Sequence, residues 1–330
     1  MNPLFTQTTL PDNLCISISV SSKDKERIHQ LGELLMKVLR ELGRYIDLST
    51  LDGVTVSSDY DHALQTLDCG FTHSKPLTRS NSETRVGVAM AVYVKRDNVF
   101  KSHIVMHDFL LYSLESEEYN KKIESLYTIT HECCHVNING IFDKIFPGYM
   151  TQYKYKNGRE STFFPFAKDI WEEYSACVFS AFIGKDIITE MLEELVKSSM
   201  DGARKRVIKN IYEYGFIHGN LQLLMCNLKE NIWMPIQCVA RLKGHFDGLG
   251  VNTNLLDFIS EFDDKKMFTP YIERMNACLD EMMEKFPDEW SDLSVFDTLI
   301  NIGDGMLSEF GVHTTLGEDG QLFIKVVNPF

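Results

Sequence analysis

Two histidines and a glutamate in one short stretch have the clearest chemical potential in this chain. His131, Glu132 and His135 form an H-E-x-x-H motif. The surrounding segment, 127–142, is predicted to be a helix, in which residues four apart share a face and lie about 6 Å apart along the axis. Two imidazoles in this arrangement can bind one zinc ion, and Glu132 can act on a water at the metal without being a ligand. The motif therefore predicts a metal-dependent peptidase.

The residues around the motif support this interpretation. Five apolar residues recur at spacings of three or four and predict a core-facing side for the helix: Ile123, Leu126, Ile129, Cys133 and Val136. The two histidines fall on a different side, as a metal-binding pair requires. The alternative interpretation is an amphipathic helix with two structural histidines and a solvated glutamate.

A zinc site of this kind needs a third protein ligand and leaves a fourth position for water. The segment 171–181 is also predicted to be helical, and its small residues Ser175, Ala176 and Ser180 would let another helix approach closely. Glu172 and Glu173 lie in its first turn. An exposed acidic first turn is favourable to the helix dipole, so one of the two glutamates is expected to be structural and the other to bind metal.

The stretches H-E-C-C-H and W-E-E-Y-S-A-C-V-F-S-A resemble the ImmA/IrrE-type zinc metallopeptidases of bacteria and their phages. That family pairs H-E-x-x-H with a later helix of the pattern E-x-x-A-x-x-F-A. Matching its aromatic residue to Phe179 implies that Glu173 is the third zinc ligand, with Glu172 as the fallback. The resemblance covers about 126–182. The chain departs from the pattern at Ser180, in the long polar connection 148–166, and in having no evident helix-turn-helix.

The resemblance implies an intracellular zinc endopeptidase that cuts a specific protein, often a transcriptional repressor. Zinc would be held, one ion per chain, by His131, His135 and Glu173. Glu132 would be the general base, and Tyr174 is a weaker candidate for stabilising the transition state. The polar segment 148–166 could contact substrate or be a solvated loop.

Composition narrows the class of protein further. The net charge of −14 disfavours direct binding to nucleic acid. No apolar run has the length of a membrane span, and the first ten residues do not resemble a signal peptide. The eight cysteines are not spaced as a disulfide framework, which favours reduced thiols in the cytoplasm. We therefore expect a cytoplasmic protein with no membrane partner.

Hydrophobic periodicity predicts an α+β fold. A helix over 22–42 and strands over 16–20, 54–56, 86–94 and 99–110 precede the motif helix. This order is expected of a zincin-like catalytic domain with a small mixed sheet and an active-site helix, in which the segment 86–94 would pair with extended substrate. Residues 185–302 are predicted to be mostly helical, and a terminal strand is predicted over 321–327. We therefore divide the chain into a zincin-like metallopeptidase domain, 1–184, and a helical C-terminal region, 185–330. That region would recognise substrate, regulate access or complete the core.

Two other classes of function remain open from the sequence. The first is a non-catalytic binding or regulatory protein that keeps a zincin scaffold. The second is a metal-dependent hydrolase that acts on a bond other than a peptide bond. His218, His245 and His313 lie outside any ligand spacing and are expected to be structural or surface residues.

Overall fold

A computed structural model of the protein describes residues 4–20, 24–72, 76–79, 86–149, 153–263 and 266–327. The chain forms two compact units that are not contiguous in sequence. The first consists of Met1–Pro147 and Phe179–Ile188, and the second of Gly148–Val178 and Thr189–Phe330. The functional division at residue 184 stays a prediction, because compactness does not show which segment has which role.

The first unit is built on a four-stranded mixed sheet, whose strands are β1 (Cys15–Ser19), β2 (Leu51–Ser57), β3 (Ala89–Arg96) and β4 (Val99–His107). Their order in the sheet is β1-β2-β4-β3. β1, β2 and β4 run parallel, and β3 pairs antiparallel with β4. Since β2 lies between two parallel neighbours, five of its seven residues are buried, as is typical of the interior strands of parallel sheets. The small mixed sheet predicted for this part of the chain is therefore present.

β3 and β4 form a hairpin around a two-residue turn. Asp97 and Asn98 both have positive φ, 50° and 65°, which is the geometry of a type I′ turn and suits Asp and Asn. The strand predicted over 99–110 ends at His107, where the short helix α3 (Asp108–Ser113) begins. The His107 side chain accepts a hydrogen bond from the Phe109 amide and so caps that helix. This local cap explains why the strand is shorter than predicted.

Helices flank the sheet of the first unit. They are α1 (Lys25–Leu42), α2 (Tyr60–Thr66), α3 and α4 (Tyr119–Ile145). α1 buries Leu31, Leu35 and Leu39, and its N-cap is Asp24, which accepts from the amides of Glu26 and Arg27. The start predicted at residue 22 lies outside the described residues. The sequence pattern did not predict α2.

The motif helix α4 is fixed on the sheet by small and polar side chains. The Asn139 amide donates to Ser102 Oγ of β4 over 3.1 Å, and Thr50 Oγ1 donates to the Val136 carbonyl over 3.3 Å. A Cβ at Gly140 would lie 2.9 Å from Thr50 Oγ1, so a larger residue at this point would force the Thr50 side chain to shift. α4 packs against β3 and β4. The orientation of the motif residues is therefore set by the sheet.

The second unit is mostly helical and corrects the sequence-based prediction for 148–166. This segment was expected to be a polar connection, but α5 spans Gly158–Ser180 and contains Pro165. The later helices have the following bounds: α6 (Lys185–Met200), α7 (Ala203–Glu213), α8 (Leu221–Leu228), α9 (Met234–Leu249), α10 (Leu255–Ser260), α11 (Thr269–Lys285) and α12 (Asp297–Glu309).

Short π-helical segments follow α7 and α8, at Tyr214–His218 and Lys229–Trp233. β5 (Val312–Leu316) and β6 (Leu322–Val326) form an antiparallel hairpin. β6 corresponds to the predicted terminal strand, whereas β5 was not predicted. The protein is thus of the α+β class, with a mixed four-stranded sheet and a two-stranded sheet, which confirms the predicted class. Within the described segments, no helix is long and apolar enough to cross a membrane.

Candidate active site

The two motif histidines meet at their distal nitrogens on α4. His131 Nε2 lies 3.1 Å from His135 Nε2, and the two rings are nearly perpendicular, at 84°. Two nitrogens that bind one tetrahedral zinc ion at about 2.05 Å are about 3.3 Å apart, so the observed separation fits a shared metal ion. His131 is buried and His135 is partly exposed. The pair therefore has the geometry that the motif predicts.

Glu132 extends from the same turn of α4 toward the hairpin strand β3. Its Oε2 atom accepts a hydrogen bond from the Ala91 amide over 2.8 Å. Glu132 as a whole is 8% exposed, so this contact helps to compensate for the loss of water around its charge. β3 is the outer strand on its side of the described sheet. The structure thus fixes the predicted general base beside a sheet edge.

The motif cysteines belong to the core and not to the histidine pair. Cys133 and Cys134 have no exposed surface. Burial, and secondarily the Glu132 carboxylate, raises the pKa of Cys133 well above its usual value, which favours the neutral thiol. Because metal ligands are thiolates, Cys133 is a poor ligand.

Glu172 and Glu173 have different partners within the second unit. The Glu172 carboxylate accepts from Lys168, one turn earlier on α5. Glu173 Oε2 forms an ion pair with Arg241 Nη2 on α9. Burial lowers the pKa of Arg241, but the surrounding groups, chiefly the Glu173 carboxylate, together raise it above the usual value. Arg241 is 8% exposed, so Glu173 is the glutamate that has a buried cationic partner.

Helix α9 approaches α5 closely beside this ion pair. A Cβ at Gly244 would lie 2.2 Å from the Tyr174 carbonyl oxygen and 3.1 Å from Cys177 Cβ, so a larger residue does not fit here. One turn further along α9, Asp247 Oδ2 accepts from the Tyr174 hydroxyl over 2.8 Å. Arg241, Gly244 and Asp247 thus hold the part of α5 that contains Glu173.

The Tyr174 side chain is buried, with its hydroxyl donated to Asp247. Burial, followed by the nearby Asp247 carboxylate, raises the pKa of Tyr174 above its usual value. These contacts favour a structural role, and the role in transition-state stabilisation stays a prediction.

His131 and His135 belong to the first unit and Glu173 to the second, and each side chain carries an atom that can bind a metal ion. Within the described residues, no group of three or more His, Cys, Asp or Glu side chains inside one unit is arranged to hold a metal ion. The set of His131, His135 and Glu173 stays the ligand set that the resemblance implies. Nothing in their geometry identifies the element.

Sequence reasoning missed the residues that support this set. Ala91 contributes only a backbone amide, which no side-chain pattern indicates. Arg241 lies in a helix with no catalytic motif, and its pairing with Glu173 depends on tertiary structure. The one local signal was Gly244, since an interior helical glycine often marks close packing.

The other histidines occupy ordinary positions. His245 is buried, with Nε2 3.1 Å from Thr189 Oγ1, whereas His218 and His313 are exposed. These positions agree with the structural or surface roles expected for them.

No protein-family model, curated protein or solved structure matches this chain.

Proposed function

We propose that this protein is a zinc-dependent endopeptidase that cuts a specific protein substrate. The observation that carries the proposal is the separation of 3.1 Å between His131 Nε2 and His135 Nε2, on a helix whose intervening Glu132 is fixed at a strand edge. This separation matches that of two imidazoles on one tetrahedral zinc ion, and without metal it permits a hydrogen bond between the two rings.

The ligand set in this proposal is His131, His135 and Glu173, with one zinc ion per chain. It is supported by the converging nitrogens of His131 and His135 in the first unit and by the Arg241 contact to Glu173 in the second. Bound zinc would supply Lewis acidity, activating a water molecule and polarising the scissile carbonyl. Two nitrogens and one carboxylate oxygen form a donor set typical of catalytic zinc.

Glu132 is the proposed general base and acid. Its carboxylate would take a proton from the attacking water and deliver it to the leaving amine. The Ala91 amide holds one carboxylate oxygen and thereby limits the rotation of the side chain. A fixed base with a defined orientation is what efficient proton transfer requires.

The proposed substrate is an extended peptide segment bound beside β3. Because β3 is an outer strand among the described ones, it can accept another strand through backbone hydrogen bonds. Glu132 contacts the Ala91 amide of this strand, so a peptide paired here would pass close to the general base. The resemblance to the ImmA/IrrE-type peptidases suggests a transcriptional regulator as the substrate.

The proposed compartment is the cytoplasm. All eight cysteines are free thiols, and six of them are buried. A chain with this many unpaired thiols is typical of a reducing environment.

The variant Glu132→Gln tests the proposal. It should bind zinc like the wild type, because Glu132 is not a ligand, and should cleave a proteome-derived peptide library about 10²–10⁴-fold more slowly. Zinc content is measured by elemental analysis, and cleavage by mass spectrometry of new termini. Glu124→Gln, an exposed position on the same helix, is the matched control and should retain full activity.

Full activity of Glu132→Gln would contradict the mechanism. A wild-type protein that binds zinc but cuts no peptide in the library, nor any protein of a cell extract, would favour the non-catalytic scaffold. Release of a non-peptide product would favour a metal hydrolase of another class.

A further inference from the structure

An open groove runs between strand β1 and helix α1 in the first unit. Its volume is about 610 Å³. Ten residues line it, two from β1 and eight from α1: Ile16, Ile18, Lys25, Ile28, His29, Gly32, Glu33, Met36, Lys37 and Arg40. None of them belongs to the candidate metal site, so the groove is a separate surface.

The first property of the groove is a strand edge. In the described part of the sheet, β1 pairs with β2 alone, and the pairing is parallel. In a parallel pair, alternate residues direct both their N–H and C=O groups away from the neighbouring strand. Along the five residues of β1 these groups form a row of donors and acceptors that another strand can use.

The second property is an apolar floor. Ile16, Ile18, Ile28 and Met36 are each partly exposed where they line the groove. Gly32 shapes its middle, since a Cβ at this position would lie 3.3 Å from Ile18 Cδ1 and narrow the space. Partly exposed apolar side chains beside a strand edge suit the alternating side chains of an extended peptide.

The third property is positive charge. Lys25, Lys37 and Arg40 are exposed along the groove, and Glu33, its one carboxylate, pairs with His29 over 3.5 Å. Three cations against one anion give the lining a net charge of +2, in a chain whose net charge is −14. Although the chain has a surplus of carboxylates, the described residues provide no ion-pair partner for these three cations. The charge is thus available to an acidic ligand.

We propose that this groove binds an extended acidic segment of a partner protein, which adds to β1 as a further strand. About five residues of the segment would pair with β1. Apolar side chains on one face would cover Ile16 and Ile18, while carboxylates would reach Lys37 and Arg40. The combination of strand edge and apolar floor favours a peptide over a nucleic acid. A phosphate backbone can neither pair with β1 as a strand nor place apolar side chains against Ile16 and Ile18.

This binding does not depend on the metal site. β1 and β3 are the two outer strands in the sheet order, so the groove lies at the opposite edge from the strand proposed to hold the scissile segment. A partner could therefore be held here whether or not it is cut. In a substrate, the acidic segment would be remote from the cleavage site.

The test measures binding of a fluorescent six-residue peptide of alternating glutamate and valine by fluorescence polarisation. The double variant Lys37→Glu/Arg40→Glu should weaken binding about tenfold or more, because two attractive contacts become repulsive. Lys122→Glu/Lys205→Glu changes the net charge equally at exposed positions outside the groove and should alter binding less than about twofold. N-methylation of alternate peptide amides should also weaken binding, since it removes the hydrogen bonds to the strand edge.

Several results would overturn the proposal. The first is no binding to folded wild-type protein, and the second is equal weakening by both double variants. Equally tight binding of a lysine–valine peptide, or of a single-stranded oligonucleotide of the same charge, would show an unspecific surface. A concentration-dependent dimer that only the groove variant abolishes would assign the groove to a second copy of the chain.

Discussion

Glu172 and Glu173, the two candidate ligands next to each other on α5, differ in their ion-pair partners. A buried cation needs a partner for its charge, and the partly exposed Glu173 supplies one to Arg241 through Oε2. Partners of this kind fix the orientation of a metal-binding carboxylate. Glu172 has instead a partner on its own helix, Lys168. On these grounds we prefer Glu173 as the ligand.

The variants Arg241→Lys and Arg241→Met test this role. Loss of the guanidinium should lower zinc affinity about 10–100-fold, because Glu173 would no longer be held in place. Arg241→Lys keeps the charge and should retain more affinity than Arg241→Met. Affinity is measured by competition with a zinc chelator.

Protein stability must be measured in the same samples, because breaking a buried ion pair costs about 3–5 kcal/mol. Arg44→Met, which removes an exposed ion pair with Glu41, is the control and should leave affinity unchanged. Wild-type affinity in a folded Arg241→Met protein would show that Arg241 is not a positioning residue.

The candidate site residues divide into those that the sequence could predict and those that it could not. His131, Glu132 and His135 were predictable, because one helical turn fixes their relation. Glu173 required the resemblance, since two adjacent glutamates differ only in their tertiary partners. Arg241 and the Ala91 amide could not be predicted, because each acts through a contact between segments far apart in the chain.

At the scale of elements, hydrophobic periodicity in the sequence predicted the long helices α1 and α4 and the four strands of the mixed sheet. The exception with most consequence is the first half of α5, which was expected to be a loop. Gly158 and Pro165 are typical of helix ends, and the polar residues before them suggested a surface connection. Packing of Phe163 and Phe164, both fully buried, outweighs these local signals. The carboxylate at Glu173 consequently lies in the second half of a long helix and not in an acidic first turn.

Gly244→Ala tests the contact between α9 and α5. The added methyl group would meet the Tyr174 carbonyl oxygen at 2.2 Å, and backbone atoms cannot move aside as a side chain can. The variant should lower the free energy of unfolding by about 1–3 kcal/mol, as overpacking does, and should also weaken zinc binding. Denaturant unfolding and chelator competition measure these two effects.

Gly32→Ala is the matched control, because a Cβ there meets only the flexible end of Ile18, at 3.3 Å. That substitution should be neutral or stabilise α1 by about 0.5–1 kcal/mol, the usual difference between alanine and glycine within a helix. Equal effects of the two substitutions would show that the approach of α9 to α5 is not tight.

At the scale of the whole molecule, the sequence predicted the α+β class but not the composition of the two units. Periodicity in a sequence suggests contiguous divisions, such as 1–184 and 185–330. The observed units each combine two separate segments, and Phe179–Ile188 belongs with the first. The assignment of a segment such as Phe179–Ile188 to the first unit depends on packing between residues far apart in the chain. The spacing of hydrophobic residues does not encode such packing.

The state of the cysteines gives a prediction for the whole molecule. All eight should be thiols, and in the native protein Cys15 and Cys226 should react first with an alkylating reagent, because they are exposed. The other six should react only after unfolding. Mass spectrometry of alkylated protein, before and after denaturation, counts both classes. A disulfide in protein purified without reductant would contradict the proposed compartment.

The zinc-to-protein ratio of the purified chain tests the central claim most directly. Elemental analysis should find about one zinc per wild-type chain, as a mononuclear site requires, and much less in Glu173→Ala. Glu172→Ala is the matched control and should keep its zinc. Loss of zinc from Glu172→Ala alone would move the ligand assignment to Glu172. Absence of tightly bound metal from the wild type, even after zinc is added, would contradict the account and make His131 and His135 structural residues.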